Sequence, residues 1–182
     1  MTLTRDARHL ALPQVGAEGQ SRIASGRVLL IGVGGIGCAA AAYLASSGIG
    51  HLTIVDFDTV DETNLARQVL YAQGHIGELK ADVAAARLRK INPGIEVSAI
   101  NRRLSGEGLA QAVTDADVVL DGTDNFATRF EINRACVAGA RRLVSGSAIR
   151  LEGQLAVFGP EYDASPCYAC MFSEHDEWLE DC

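Results

Sequence analysis

The sequence predicts an α/β fold: a Rossmann-like, mostly parallel sheet with helices on both faces and an incomplete C-terminal extension. Three observations support this prediction. Short runs of branched apolar residues alternate with helical segments along most of the chain. A glycine-rich turn joins the first such run to a helix. The length of 182 residues suits one such domain, since domains run to about 100 to 200 residues.

Six strands and four main helices are predicted in order. The strands are expected near residues 28–32, 52–56, 95–100, 117–121, 142–145 and 153–158. The helices are expected at residues 36–47, 78–91, 106–114 and 126–138. The alanine-rich first helix should be buried. Either Thr123 or Asp124 could cap the last helix, since both residue types favour that position.

Composition and charge exclude several classes of protein. With 48% apolar and 21% charged residues, the chain does not have the composition of a disordered protein. The stretch 28–50 carries no charge, but the glycines crowded near its start weaken any membrane helix. The formal net charge of −7 gives no bulk attraction to nucleic acid or to an anionic membrane. An anionic ligand must therefore be held by local groups.

The cysteines indicate a reducing compartment. They are odd in number, and residues 1–14 lack an apolar signal segment, so the expected location is the cytoplasm. Cys38 and Cys136 fall in predicted apolar helices and are expected to be small core residues. Cys182 is unpaired and expected to be exposed, which suits a nucleophile but does not establish one.

The glycine-rich turn predicts a nucleotide site. Glycines at four positions follow the first strand and open a helix, where they permit a tight turn and close approach of a phosphate to backbone N–H groups; they are Gly32, Gly34, Gly35 and Gly37. Asp56 ends the next predicted strand, where a carboxylate would accept hydrogen bonds from ribose hydroxyls. The pattern does not specify which nucleotide binds.

Polar residues beyond the strand ends favour transfer chemistry over hydride transfer. They are Asn64, Arg67, Gln68, Lys80 and Asp124. Singly, the cations could be solvated surface charges and Asp124 a helix cap. Together, cations and a metal-binding carboxylate are what attack by a carboxylate on a nucleoside triphosphate requires, since about 4 kcal/mol of repulsion arises between like charges about 4 Å apart at a dielectric near 20. The motif GxxxxGK[ST] is absent from the sequence, which excludes a P-loop enzyme.

A cysteine pair near the end of the chain has metal-ligand spacing. Cys167 and Cys170 form one CxxC, which is half of a tetrahedral zinc site. His175 and Cys182 could complete it in a pattern related to a zinc knuckle, although acidic neighbours argue against a nucleic-acid role. The alternatives are a free thiol pair or a site completed by residues outside this sequence.

The combined pattern closely resembles the HesA/MoeB/ThiF family, bacterial relatives of ubiquitin-activating enzymes. The resemblance covers nearly the whole chain and rests on these stretches in this order: GVGGIG, LTIVDFDTVDETNLARQ, GELKADVAAARLRKINP, DVVLDGTDNFATR, VSGSAIRLEGQ and PCYAC. It implies an adenylyltransferase that uses MgATP to adenylate the C-terminal glycine of a ubiquitin-like sulfur-carrier protein of the MoaD or ThiS kind. The pathway implied is molybdopterin or thiamine biosynthesis, with the sequence closer to the molybdopterin branch.

The resemblance also implies roles for individual residues. The glycine turn and Asp56 would hold adenosine. Asn64, Arg67, Gln68 and Lys80 would line the nucleotide site, with phosphate contacts from Asn64, Arg67 and Lys80, and Asp124 would bind magnesium. Cys167 and Cys170 match half of a four-cysteine zinc site. Cys182 matches a cysteine that in some members links covalently to the carrier or to sulfur.

The resemblance extends to the N-terminus and to the predicted domain organisation. Arg8 matches an arginine that reaches into the partner's ATP site in a homodimer, although Asp6 replaces the usual aromatic residue. The organisation it implies is a helical arm over residues 1–25, an ATP-binding domain over 26–160 and the start of a zinc and crossover-loop region over 161–182. Family members continue further, so an exposed sheet edge and uncovered apolar surface are expected.

Three other functions stay open at this point. One is a nucleotide-binding module without catalysis, part of a larger assembly. Another is an NAD-dependent oxidoreductase, which would prefer NADH to ATP. The third is a family member that dehydrates a modified tRNA base through an adenylated intermediate, against which the acidic charge counts.

Overall fold

The computed structural model describes residues 5–173, which contain one six-stranded sheet. The strand order across the sheet is β3-β2-β1-β4-β5-β6. The strands are β1 (Arg27–Ile31), β2 (His51–Val55), β3 (Glu96–Ile100), β4 (Val118–Asp121), β5 (Arg142–Ile149) and β6 (Glu152–Phe158). The first five strands run parallel to one another, and only β6 runs antiparallel, against β5. The prediction of a mostly parallel sheet is confirmed.

Seven α-helices accompany the sheet in the described part of the chain. They are α1 (Ala7–Leu10), α2 (Gly16–Ser25), α3 (Gly35–Ser47), α4 (Lys80–Ile91), α5 (Gly106–Thr114), α6 (Phe126–Ala138) and α7 (Tyr168–Met171). Two 3-10 turns, Glu62–Asn64 and Gln73–His75, lie between β2 and α4. These turns and α7 were not predicted, because elements of three or four residues are too short to show a hydrophobic period.

The helices cover both faces of the sheet, as predicted. One buried cluster joins β1 and β2 to α3 and α4, with Leu30, Ile54 and Leu88 among its members. A second cluster on the opposite face joins β1 and β4 to α5 and α6, with Leu29 and Val119 among its members. Neighbouring residues of one strand thus serve opposite cores, because side chains alternate across a sheet.

The expected burial of two cysteines is confirmed. Cys38 in α3 and Cys136 in α6 each belong to one of the two clusters and are fully buried. Burial raises the pKa of both thiols, and that of Cys136 reaches about 12. Both thiols are therefore uncharged at neutral pH, and both cysteines are core residues, as their apolar helices indicated.

The start of α6 differs from the prediction. Neither Thr123 nor Asp124 caps this helix: Asn125 does, and its side-chain oxygen accepts a hydrogen bond from the backbone N–H of Thr128 at 3.0 Å. The cap therefore lies one residue further along than expected, which leaves the Asp124 side chain outside the helix start.

The expectation of an exposed sheet edge is confirmed in the described part of the chain. There β6 is one of the two edge strands, β3 being the other, and apolar side chains project from β6 and its hairpin into solvent. These side chains are Leu151, Leu155 and Val157. Among residues 5–173 no helix has the length and apolar character needed to cross a membrane. The division into segments 1–25, 26–160 and 161–182 stays a prediction.

One glycine of the turn is required by packing alone, and this gives a testable prediction. A Cβ added at Gly37 would lie 2.0 Å from the carbonyl oxygen of Gly32, a backbone atom that cannot move aside cheaply. Gly37→Ala is expected to destabilise the fold by about 3 kcal/mol or more. Thermal unfolding should show a midpoint lower by about 6 °C or more. Gly74→Ala is the control, since a Cβ there meets nothing within 4 Å; equal midpoints for the two variants would contradict the prediction.

Candidate functional site

The strand order reverses between β1 and β4, and the glycine turn lies there. β1 continues to β2 on one side and to β4 on the other, so a crevice opens at the carboxyl ends of β1 and β4. Gly32 follows β1 with a φ of +84°, and a Cβ on it would lie 2.9 Å from the carbonyl carbon and oxygen of Gly122, just after β4. Only glycine allows this backbone angle and this approach together. The two loops that border the crevice are therefore in direct contact.

One residue of the turn, Val33, is held by three side chains. The Val33 N–H donates to Asp56 Oδ2 at 2.9 Å, while the Val33 carbonyl accepts from the Tyr71 hydroxyl at 2.8 Å and from Cys38 Sγ at 3.2 Å. Asp56 Oδ1 accepts the Asp58 N–H at 2.9 Å. Burial raises the pKa of the Asp56 carboxyl and the hydrogen bonds from Val33 and Asp58 oppose it. Asp56, predicted as a ribose ligand, is also the anchor of the glycine turn.

The segment after β2 lies against the same turn. Arg67 is exposed, its Nη1 donates to the Thr63 carbonyl at 3.0 Å, and its stem passes beside Gly35. Asn64 accepts the backbone N–H of Asp61 at 3.1 Å and so shapes the loop that presents Arg67. The structure thus brings the predicted residue Arg67 to the glycine turn, and Asn64 supports the loop that presents it.

Gln68 lies on the same loop but is almost fully buried, with 3% of it exposed. Its Nε2 approaches Gly34, and its Oε1 has no hydrogen-bond partner among the described residues. A buried polar atom without a partner costs about 1–3 kcal/mol. Such an acceptor next to a glycine turn suits a site that is completed by another molecule.

Lys80 begins α4 and is buried, with 7% of the residue exposed. Its Nζ lies 3.0 Å from Asp58 Oδ2, and its backbone N–H donates to the Asp58 carbonyl at 2.9 Å. Because the N–H of Asp58 donates to Asp56, and Asp56 accepts the N–H of Val33, three hydrogen bonds link Lys80 to the glycine turn. Its charge lies close enough to favour the ionised form of Asp56, which lowers the pKa of that carboxyl against the larger effect of burial.

Asp124 lies on the loop after β4 with an exposed carboxylate. The preceding residue, Thr123, donates its N–H and its hydroxyl to Asp121 Oδ1 at 3.0 and 2.7 Å. Ser145 donates to the other Asp121 oxygen at 3.0 Å. Burial raises the pKa of the Asp121 carboxyl, and the hydrogen bonds from Thr123 are the largest effects that oppose it. The Asp124 carboxylate is thus presented by a loop with buried supports.

The two thiols near residue 170 come together. Cys167 Sγ and Cys170 Sγ are 3.6 Å apart, and Asn133 Nδ2 donates to Cys167 Sγ at 3.5 Å. Burial raises the pKa of the Cys167 thiol, but hydrogen bonds from Asn133, the Cys170 thiol and nearby backbone N–H groups outweigh it and leave the pKa below its usual value. Among residues 5–173 no cluster of three or more metal-binding side chains occurs. His175 and Cys182 lie outside the described residues.

Arg8 is not brought to this site by its own chain. It is exposed on α1, where the neighbouring Asp6 approaches Gly48. Gly48 follows the end of α3, whereas the glycine turn precedes its start. Arg8 therefore lies at the other end of the helix from the predicted nucleotide site.

Sequence reasoning missed four side chains that shape the site: Tyr71, Asp121, Arg129 and Asn133. All are buried; Asp121, Arg129 and Asn133 lie on predicted elements, whereas Tyr71 lies in the connection between β2 and α4. Tyr71 is an aromatic residue that resembles core in the sequence, and burial raises its pKa above the usual range. A buried polar residue among apolar ones is the only signal the sequence carried, as in Arg129 and Asn133 of α6.

Comparison with known proteins is consistent with this geometry. The ThiF family model matches residues 7–181. The chain is 46% identical over 170 residues to mouse "Adenylyltransferase and sulfurtransferase MOCS3", covering 93% of this chain and 36% of that protein. It is 44% identical to the molybdopterin-synthase adenylyltransferase of Escherichia coli, covering 93% of this chain and 68% of that protein. The chain therefore spans only about a third of the length of the mouse relative.

Solved structures show the same fold. Escherichia coli MccB, solved with ATP, superposes with a TM-score of 0.81 at 27% identity over 94% of this chain and 52% of that one. The E. coli tRNA N6-threonylcarbamoyladenosine dehydratase, TcdA, superposes with a TM-score of 0.73 at 29% identity over 80% of this chain and 62% of that one. The expected family resemblance and the expected Rossmann-like fold are both confirmed. With a glycine turn, strand order and matched region of this kind, the chain belongs to the ThiF family.

Proposed function

We propose that the protein is a cytoplasmic, ATP-dependent adenylyltransferase that activates the C-terminal glycine of a ubiquitin-like sulfur-carrier protein for molybdopterin or thiamine biosynthesis. One observation carries the proposal: segments bearing Arg67, Lys80 and Asp124 meet the glycine turn at the point where the strand order reverses. The Arg67 stem and the loop before Asp124 contact the turn directly, and Lys80 is linked to it through Asp58 and Asp56. The names of the relatives support it, since they include adenylyltransferases of molybdopterin synthase and of ThiS.

The glycine turn and Asp56 would hold the adenosine. Both Asp56 oxygens already accept backbone N–H groups, but each carboxylate oxygen has a second lone pair for a ribose hydroxyl. α3 starts directly after the turn, with no side chain capping its first N–H groups. Those N–H groups can bind a phosphate.

The cations would hold the remaining phosphate charge. A helix start is worth only about half an elementary charge, which does not offset a triphosphate and an approaching carboxylate. Arg67 beside Gly35 and Lys80 beside Asp58 would supply two full charges, and Asn64 and Gln68 would add neutral hydrogen-bonding groups. In the reaction, a carboxylate oxygen of the carrier attacks the α-phosphorus of ATP and forms an acyl adenylate. The bond from the α-phosphorus to the bridging oxygen breaks, and pyrophosphate leaves with the electron pair.

Asp124 fits a magnesium ligand. Magnesium in such sites is held by one or two carboxylates together with phosphate oxygens, and the exposed carboxylate on a supported loop meets that requirement. When bound, the ion neutralises charge on the phosphates. Asp124 is also the carboxylate whose loop contacts the glycine turn through Gly122.

Arg8 and Cys182 would complete the enzyme from elsewhere. Arg8 is exposed at a distance from its own nucleotide site, which suits a residue that enters the site of a partner in a homodimer. Cys182 would link to the carrier: its thiolate would attack the carbonyl carbon of the acyl adenylate, the bond from that carbon to the phosphate oxygen would break, and AMP would leave. Absence of any activity change in Arg8→Ala would remove the dimer from the proposal.

The cysteine pair would bind structural zinc. Two sulfurs each about 2.3 Å from one tetrahedral ion lie about 3.8 Å apart, close to the 3.6 Å between Cys167 and Cys170. Cys167→Ser and Cys170→Ser are each expected to reduce the zinc retained after dialysis to background, measured by atomic absorption. Cys136→Ala is the control, since its buried thiol, with a pKa of about 12, stays protonated. Zinc retained by both serine variants, or bound by neither them nor the parent, would contradict the prediction.

The function is tested by carrier-dependent exchange of labelled pyrophosphate into ATP. The purified protein is mixed with MgATP and a carrier ending in Gly-Gly, with a carrier lacking the last glycine as the control. Exchange that needs the intact carrier supports the proposal. ATP bound without exchange would favour the non-catalytic module, and preference for NADH would favour an oxidoreductase. Exchange stimulated by tRNA instead would favour the reaction class of TcdA.

A further inference from the structure

We infer that Arg129 is a positioning residue of the nucleotide site: it fixes the peptide bond that leads into Asp124 and thereby the direction of the Asp124 carboxylate. This inference rests on the proposed role of Asp124 as a magnesium ligand. Arg129 is not proposed to touch the nucleotide, the metal or the carrier.

The contact that carries the inference is a two-pronged one. Arg129 donates from Nε and from Nη2 to the carbonyl oxygen of Thr123, at 3.2 and 2.6 Å. That carbonyl belongs to the peptide bond between Thr123 and Asp124. Two donors from one planar guanidinium hold an acceptor in both distance and direction, which a single donor does not. The plane of the peptide that precedes Asp124 is therefore set by Arg129.

The rest of the loop is fixed on both sides of Asp124. The N–H and hydroxyl of Thr123 are bound by Asp121, so this residue is held at both its N–H and its carbonyl. After Asp124, the Asn125 side chain binds the N–H of Thr128 and starts α6. The two neighbours of Asp124 are thus both held in place, Thr123 by buried side chains and Asn125 by the first turn of α6, while the Asp124 side chain itself is exposed. Such support matters for magnesium, which demands near-ideal octahedral geometry.

The burial of Arg129 is not explained by the needs of the helix. Only 6% of Arg129 is exposed, and its guanidinium lies 5.2 Å from the centre of the Phe126 ring. Tyr168 of α7 lies against the guanidinium, whose charge also favours the ionised form of the buried Asp121 carboxylate and so opposes the rise in its pKa. Burying a cation is costly, and α6 already has its cap in Asn125. What the buried guanidinium adds is the hold on the Thr123 carbonyl.

The test compares Arg129→Lys with a matched control. Lysine keeps the charge but cannot donate two N–H groups in one plane. Arg141→Lys is the control. Arg141 also donates to a backbone carbonyl, that of Thr114 at 2.7 Å, but it lies at the amino end of β5, away from the crevice at the carboxyl ends of the strands. ATP binding is measured by calorimetry with magnesium and with EDTA, and exchange is measured against magnesium concentration.

Arg129→Lys is expected to reduce the magnesium-dependent gain in ATP affinity about tenfold and to raise the magnesium concentration for half-maximal exchange about tenfold. ATP affinity in EDTA and the thermal midpoint should stay close to those of the parent, and Arg141→Lys should change neither magnesium measurement. If Arg129→Lys unfolds more than about 4 °C lower, the same measurements are made on Arg129→Gln. An unchanged magnesium gain in whichever variant is used, or an equal loss of ATP affinity in EDTA, would overturn the inference.

The two proposals can fail separately. Calorimetry measures binding and needs no turnover. If the parent protein binds MgATP but gives no exchange, the proposed adenylyltransferase activity is refuted, while the binding measurements still test the role of Arg129. A parent that shows no magnesium-dependent gain in ATP affinity would refute the inference, because Asp124 would then hold no metal for Arg129 to orient.

Discussion

Asp124→Asn is expected to reduce carrier-dependent pyrophosphate exchange by at least about 100-fold. The substitution keeps the size of the side chain and removes its charge. The carboxylate is exposed, and none of the loop's supporting hydrogen bonds depends on it. The fold should therefore be unaffected, while the phosphates would lose the metal that neutralises them during attack by the carrier carboxylate. Exchange rates at saturating ATP and carrier, with magnesium varied, provide the measurement.

The control for Asp124 is an exposed aspartate at the amino ends of the strands, away from the crevice. Asp115 is exposed, follows α5 and precedes β4 at its amino end. Asp115→Asn should keep both its exchange rate and its unfolding midpoint. If Asp124→Asn keeps more than about a tenth of the parent exchange rate, the loss is smaller than removal of an electrostatic catalyst usually causes. The assignment of Asp124 as the metal ligand would then be wrong.

Lys80→Met is expected to lower the exchange rate by about 100-fold to 1000-fold. Methionine keeps the buried stem of the side chain at the start of α4 and removes the charge next to Asp58 and Asp56. The rate should fall because the step in which charge moves from the α-phosphorus to the leaving pyrophosphate loses a stabilising cation. The free energy of unfolding should change little, because the Asp58 carboxylate that loses its partner is half exposed and can be solvated.

Lys90 on the same helix provides the control for Lys80. It is exposed in the last turn of α4, with no part in the site. Lys90→Met should therefore exchange pyrophosphate at the parent rate. Equal losses in the two variants would mean that the cation acts through net charge rather than at the crevice. In that case the salt dependence of the two variants would also be the same.

The order of the strands and helices could be predicted from local signals. Each of the six predicted strands and four predicted helices is present, with ends shifted by at most two residues except at β5, which extends to Ile149. That extension is part of the antiparallel pairing with β6, from Ile149 opposite Glu152 to Leu143 opposite Phe158. Pairing of this kind depends on a neighbouring strand, which local residue preferences do not contain.

Several site residues could also be predicted, because they stand next to strand ends. Asp56 follows β2 and Asp124 comes shortly after β4, and parallel strands bring their carboxyl ends to one edge of the sheet. The supporting residues could not be predicted in this way. Tyr71 binds Val33 across 38 residues of chain, and Asn133 binds Cys167 across 34. The sequence shows only that such residues are polar or aromatic.

What this sequence determined alone is therefore a ThiF-type sheet, its glycine turn and the kinds of charged group at its edge, because periodicity and turn chemistry are written in neighbouring residues. The tertiary structure decided how those groups are held. It placed the Arg129 guanidinium on the carbonyl before Asp124, engaged Asp56 with the glycine turn and left Arg8 at the far end of α3. Hydrogen bonds of this kind need both direction and distance, and these exist only once packing has brought separate elements together.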